Sequence, residues 1–337
     1  MMKRQNTTRR RFIGIFAAAS GLAMTPLTLR HAFATLGTAR QGASWRGIAL
    51  GADAELHIDH PDAAFAQKLI DKSVAEVHRL ERIFSLYQDD SALSVLNRQG
   101  HLDNPPADLL RLLAESQYFG KLTDGAFDPT VQPLWRIYAE HFAQPNADPN
   151  GPDTRAIASA LAVVDYTAID VNPERIQLLR PGMALTLNGI AQGYITDKIV
   201  QQLRAAGLDR ALVDMGEIHG VNTRSHAMPW RVGLADPSTP GKIVRTIEID
   251  NQALATSAGS GTPLDAAGRH THIFNPKTGS SQSRYRSVTV MAAHATQADA
   301  LSTAFSTMGL DAIEPIVEAG GAKAWVTRND GSVAVLG

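Results

Sequence analysis

The chain has 337 residues, 44% hydrophobic and 19% charged, with a formal net charge of −1 and no cysteine. That composition supports a sizeable buried core. It excludes disulfide frameworks, thiolate metal sites, cysteine nucleophiles and lipid anchoring through an N-terminal cysteine.

The first segment, residues 1–34, reads as a leader rather than as part of the fold. Arg9 and Arg10 precede an apolar run over 13–24, and Ala32-Phe33-Ala34 offers a small-x-small cleavage site. This is the pattern of a twin-arginine (Tat) export signal, so a periplasmic mature protein is expected. The run is shorter than the ~20 residues a membrane span needs, and no other stretch is long enough, so an integral membrane protein is not expected. Without the leader the chain holds 26 basic against 33 acidic side chains, a balance that argues against nucleic acid as a partner.

Residues 45–59 read as a pair of strands. A long helix is expected over 62–86, with apolar positions at Phe65, Leu69, Ile70, Val74, Val77 and Leu80. A second helix spans 107–122. The segment that opens with TDGAFDPTVQPLW then runs into a Pro/Gly/Asn-rich stretch at 144–153, a candidate boundary or flexible excursion. A short helix at 154–163, strands at 166–170 and 175–179, and a glycine turn leading into a helix that stops at Gly207 come next. Further strands are expected at 211–214, 230–234, 242–250, 287–292, 323–327 and 332–336, with helices after 296 and at 312–319. This irregular mixture favours an α+β fold, with mixed or antiparallel sheets and packed helices in one large domain over 45–337, rather than a doubly wound sheet.

The chain lacks G-x-G-x-x-G, the Walker pattern, G-x-S-x-G and H-E-x-x-H. In SVTVMAAHATQADALSTAFSTMG (287–309), Asp299 and Thr303 share one face of a helix that follows a strand. Side chains at that spacing start about 5–6 Å apart, within reach of one Mg²⁺ at ~2.1 Å from each oxygen. The same pair also fits a dipole-complementing acid, open to solvent, with a neutral threonine behind it, and spacing alone leaves both readings open. Tyr87, where the first helix ends, fits stacking on a planar ring or simple packing. TDGAFDPT (123–130) reads as a turn, with Asp128 as a cap. NGIAQGYITD (188–197) sets two glycines before a helix, where backbone N–H groups favour an anion. TSAGSG (256–261) fits a phosphate-wrapping loop or a tight turn. His270 and His272 fit a transition-metal pair or two polar residues, and no Met/Cys cluster accompanies them.

Taken in order, TDGAFDPT, NGIAQGYITD, ATSAGS, HIFNPKTG and SVTVMA with ADALST resemble the ApbE family, the FAD:protein FMN transferases, over about residues 45–335. NGIAQGYITD and LVDMGEIHG most resemble its exported branch, which accompanies nitrous oxide reductase maturation. The resemblance implies a T-fold-related single domain. It also implies an Mg²⁺-dependent enzyme that cleaves FAD and passes FMN to a Thr or Ser hydroxyl of a periplasmic or membrane-anchored client, with AMP leaving. By that resemblance Asp299 and Thr303 hold the magnesium together with the Gly189 carbonyl. Leu50, Tyr87, Ala126, Phe127, Asp128, Thr186, Gln192 and Ile273 line the FAD site, and His272 is the catalytic base.

Two positions depart from the family pattern: Gln192 stands where lysine is common, and Met215 replaces the first glycine of a GG[ED]I turn. The alternative reading is a non-catalytic FAD-binding maturation factor that docks on a redox complex. For the transferase, placement and charge neutralisation carry most of a phosphoryl transfer, and a histidine of ordinary pKa near 6.5 takes a proton at neutral pH.

Overall fold

A computed structural model describes residues 42–223, 228–235 and 242–337. The expected export leader, 1–34, lies outside the described residues.

The described chain opens with a hairpin of β1 (Ala43–Ala49) and β2 (Ala52–Ile58), then α1 (Ala63–Phe84). Asp62 starts α1 by accepting the N–H groups of Ala64 and Phe65 at 2.9 and 3.0 Å, which satisfies donors that no helix can pair internally. Leu69, Ile70, Ser73, Val77, Leu80 and Phe84 recur at helical spacing and are buried. There follow α2 (Ala92–Gln99), β3 (His101–Asp103), α3 (Ala107–Leu122), α4 (Gln132–Phe142), α5 (Thr154–Leu161), β4 (Ile169–Val171) and β5 (Arg175–Leu178). The second half carries α6 (Ala191–Ala205), β6 (Arg210–Asp214), β7 (Ile218–Asn222), β8 (Trp230–Ala235), β9 (Ile243–Ile249) and β10 (Ala253–Ser257). It closes with β11 (Ser287–Ala292), α7 (Ala295–Phe305), α8 (Leu310–Gly320), β12 (Lys323–Thr327) and β13 (Val333–Leu336).

Eight strands form one sheet in the order β1-β2-β6-β7-β10-β11-β12-β13, and every neighbouring pair is antiparallel. A three-stranded sheet, β3-β5-β4, and a β8-β9 ribbon complete the α+β architecture. The strand period of two sorts the main sheet's side chains onto two covered faces. Ala211 and Val213 of β6 join the core beneath the helices. Leu212 between them packs with Ile218, Trp230, Val232 and Ile249 under the ribbon. The central strands are therefore buried on both sides, and at about 1.5–3 kcal/mol per large side chain their burial is a major source of stability.

Five elements, α2, β3, α4, β7 and β10, are additions to the sequence expectation. SALSVLNRQ, which the sequence does not assign to an element, forms α2, because Ser91 caps it through the Ser94 N–H at 3.0 Å and Gly100 closes it at φ 75°. Pro133 punctuates the sequence at the start of α4, where a missing N–H costs nothing. β7 and β10, both poor in strand formers, are held by their neighbours on the ladder. A Cβ on Gly220 in β7 would lie 2.9 Å from the Trp230 ring, so only glycine lets the ribbon close on the sheet.

The 144–153 segment connects α4 to α5 and is tied down near its end. His141 Nε2 lies 2.8 Å from the Asp148 carbonyl, and Arg269 donates to the Pro149 carbonyl.

Candidate active site

β11 delivers the chain into α7 through two residues, and α6 and α7 meet at their first turns. A Cβ on Gly193 would stand 2.3 Å from the Ala295 carbonyl oxygen, so the helices approach this closely only because that residue is glycine. Neither helix has a side-chain cap from its own N-cap residue. Asp197 of α6 instead accepts the Ala295 and Thr296 N–H groups at 2.8 and 2.9 Å and the Thr296 hydroxyl at 2.7 Å. Asp299 of α7 accepts the Gly193 N–H at 3.0 Å. Two positive helix ends thus converge beside two carboxylates.

Around this junction the structure gathers the three residues expected at a metal. A Cβ on Gly189 would fall 2.9 Å from Thr303 Oγ1, so the backbone just ahead of α6 lies against the threonine hydroxyl. Among the described residues no backbone hydrogen bond ends on the Gly189 carbonyl. Ser257 at the end of β10 adds a hydroxyl, 2.8 Å from Ser302 Oγ and 3.4 Å from Thr303 Oγ1. The donor set is oxygen throughout, as a hard divalent cation requires, so the residues fit magnesium.

The carboxylate itself is not the solvent-exposed one anticipated from the sequence, because Asp299 is only 3% exposed. Burial raises its pKa against the Gly193 hydrogen bond, and the Asp197 charge adds to the rise. Asp197 behaves oppositely. Burial pushes it up, but His219 and the donors of Thr296 and Ala295 outweigh that and hold it below the usual carboxylate range.

The residues expected to meet FAD lie on segments tied to this junction. Tyr87 is 54% exposed, while its hydroxyl is turned inward toward the Asn188 side chain, and desolvation there raises its pKa. Asn188 directly precedes Gly189. Leu50 closes the β1-β2 hairpin at φ 48°, a left-handed conformation costly for leucine, and its N–H donates to Glu81 Oε1 at 2.9 Å near the end of α1. Thr186 donates its N–H to the Pro129 carbonyl at 2.8 Å, which joins the AFDPT segment to the Gly189 turn. Ala126 is partly exposed, whereas the Phe127 and Asp128 side chains face inward. Phe127 meets Phe119 edge-on at 6.5 Å. Asp128 accepts the Thr130 and Tyr166 N–H groups at 2.8 and 3.0 Å, and burial still raises its pKa. Gln192 lies over Gly216, where a Cβ would come within 2.4 Å of its Nε2. The two departures from the family pattern therefore fall at one contact, since Met215 is the neighbour of Gly216.

The histidine pair divides. His270 is 3% exposed, bonded to the Ser281 hydroxyl at 2.7 Å and packed on the Tyr138 and Phe142 rings. It is a core residue. His272 is half-buried, with Nδ1 3.3 Å from the Thr262 carbonyl. Its neighbour Ile273 lines a narrow cleft together with Ser257. The sequence placed Asn188, Gly193 and Asp197 in an anion-facing turn and Ser257 in a phosphate-loop candidate without their individual roles, and Gly193 lies inside α6 rather than before it. The local signal for the role of Asp197 was the residue itself, the one acid of α6, one turn after Gly193.

The ApbE family model matches residues 50–326. The chain is 33% identical over 275 residues to the FAD:protein FMN transferase of Treponema pallidum, covering 71% of this chain and 74% of that one. It is 30% identical to the FAD:protein FMN transferase of Haemophilus influenzae, covering 69% and 70%. Among solved structures, the ApbE protein of Thermotoga maritima superposes with a TM-score of 0.78 at 26% identity, over 88% of this chain and 97% of that one. The apo flavinyl transferase ApbE of Pseudomonas stutzeri shares the fold, with a TM-score of 0.73 at 21% identity over 92% and 96%. The family model spans most of the chain and the fold agrees throughout, so this protein belongs to the ApbE family.

Proposed function

We propose that this protein transfers the FMN moiety of FAD to a Thr or Ser hydroxyl of a periplasmic client and releases AMP. The observation that carries this reading is the junction of α6 and α7, where Asp299 accepts the Gly193 N–H and the Gly189 backbone lies against the Thr303 hydroxyl. When bound there, magnesium would neutralise charge on the FAD diphosphate. Tyr87 and the Ala126 segment border the flavin, and Gln192 stays neutral beside it. His272 accepts the proton of the attacking client hydroxyl, a role that fits an imidazole at neutral pH. The twin-arginine leader supports a periplasmic setting. The resemblance of NGIAQGYITD to the nitrous oxide branch supports a client in a respiratory redox complex.

The test incubates the mature protein with FAD, Mg²⁺ and candidate periplasmic flavin domains. Covalent flavin fluorescence that survives denaturation, in step with AMP, is expected. His272→Ala should retain FAD binding and lose about 10²–10⁴-fold in transfer. Tight FAD binding by wild type with neither AMP nor labelled client would overturn the reading and leave a non-catalytic FAD-binding maturation factor.

A further inference from the structure

Beyond Tyr285 from the candidate active site lies an open cavity of about 520 Å³, lined by Arg284, Tyr285, Leu310, Arg328, Asn329 and Asp330. Arg286 stands beside it and donates to the Asn329 carbonyl at 2.7 Å. All three arginines bond neutral oxygens: Arg284 Nε the Tyr285 hydroxyl at 3.2 Å, and Arg328 the Ser332 hydroxyl at 3.1 Å. Asp330 is turned to Ser332, whose N–H and hydroxyl it accepts at 2.8 and 2.7 Å. Three guanidiniums around one cavity stand out on a chain whose acids outnumber its bases by 33 to 26 once the leader is removed.

The cavity adjoins the chemistry. Tyr285 also lines the narrow cleft that contains Ser257 and Ile273. Ser257 in turn faces Thr303 at 3.4 Å. The Tyr285 hydroxyl donates to the Met308 carbonyl at 2.9 Å, which fixes this wall to the chain leaving α7.

We infer that the arginine cavity docks an acidic segment of the flavin-accepting client and so directs its acceptor hydroxyl toward the cleft. This rests on the transferase reading above. A protein substrate has to be held by more than one hydroxyl if that hydroxyl is to be positioned. Planar guanidinium forks match carboxylates in pairs, and Leu310 with the Tyr285 ring supplies an apolar wall between them. The negative surface elsewhere repels an extended polyanion and leaves room for a short acidic stretch.

The test uses the mature protein and fluorescein-labelled peptides at low ionic strength. One peptide carries a threonine flanked by aspartates, and its counterpart carries asparagines. A single-stranded oligonucleotide of equal charge serves as the third probe. Wild type should bind the aspartate peptide at least tenfold tighter than the asparagine peptide, and added salt should erase the difference. Arg284→Glu/Arg328→Glu, and the milder Arg284→Gln/Arg328→Gln, should lose the discrimination while FAD affinity stays unchanged. Absence of discrimination in wild type, its persistence in both double variants, or tighter binding of the oligonucleotide would overturn the proposal. AMP release from FAD is read separately. Its presence without peptide discrimination defeats only the docking surface, and its absence with discrimination defeats only the transferase reading.

Discussion

Asp197 and Asp299 each cap the helix that carries the other. Asp197 takes the first N–H groups of α7, and Asp299 takes the Gly193 N–H of α6. The exchange holds the two helix starts together and keeps a carboxylate at the point where they converge. Asp197→Ala removes three hydrogen bonds and leaves buried His219 without the acid 3.7 Å away. A loss of about 1–2 kcal/mol is expected from the cap alone, read as a lower urea midpoint with unchanged slope.

Asp299→Asn keeps an oxygen for the Gly193 N–H and removes the charge. Its melting temperature should stay within a few degrees of wild type, while magnesium-dependent FAD cleavage disappears. Asp299→Ala should lose the same activity and, in addition, about 1 kcal/mol of stability from the missing cap. An asparagine variant that turns over with ordinary magnesium dependence would remove Asp299 from the metal site.

Gly189→Ala places a methyl group 2.9 Å from the Thr303 hydroxyl. The backbone there carries no helical hydrogen bond to break, so the fold should survive with a small shift of the turn. Magnesium affinity, titrated through FAD cleavage, should fall about tenfold or more, because octahedral coordination at ~2.1 Å tolerates little displacement.

Tyr87→Ala should weaken FAD binding about tenfold, the scale of an aromatic contact with its area. Tyr87→Phe keeps the ring and gives up only the hydroxyl facing Asn188, so its FAD affinity should lie close to wild type. Fluorescence titration of both variants separates stacking from the polar contact, and equal affinity in the alanine variant would take Tyr87 out of the site.

Asp108 ties α3 to α1 and α6, accepting from Arg79 at 2.6 Å and the Tyr194 hydroxyl at 2.7 Å, with Lys198 3.0 Å away. Burial alone would raise its pKa, but Tyr194, Arg79 and Lys198 together hold it down at about 2, from an ordinary 3.8. A pKa depressed in the folded state contributes stability that is complete above the unfolded value and is lost as pH falls toward 2. At 14% side-chain exposure little of this is screened, and it amounts to about 2 kcal/mol. Asp108→Asn should be less stable than wild type by roughly that amount at neutral pH. The gap, measured by denaturant titration at several pH values, should close between about pH 4 and pH 2.

Much of the fold was legible because its signals are local. Asp62 and the apolar stripe of α1 announce a helix by spacing alone. The alternation in 287–292 announces a strand, and the four-residue interval between Asp299 and Thr303 places both on one helix face. The ordered motifs carried the family and with it the class of site. Where local chemistry and tertiary context disagree, the sequence misleads. IHGVN carries too few strand formers to announce itself and becomes a central strand, because β6 and β10 pair with its two edges. ATSAGS looks like one loop and is half strand, which is what brings Ser257 to Thr303.

The sequence by itself determined the α+β class, most element positions, the family and the candidate ligands one by one. Only the tertiary structure decided that Asp299 is buried, that Asp197 is its reciprocal cap, that Gly189 touches Thr303 and that His270 belongs to the core while His272 does not. Those relations join residues about a hundred positions apart, as in the 106-residue separation between Gly193 and Asp299. A helix or turn is written in the spacing of neighbours. A contact between two helix ends depends on a glycine small enough to admit it and on a sheet that aims both helices at one point, and no local pattern encodes either.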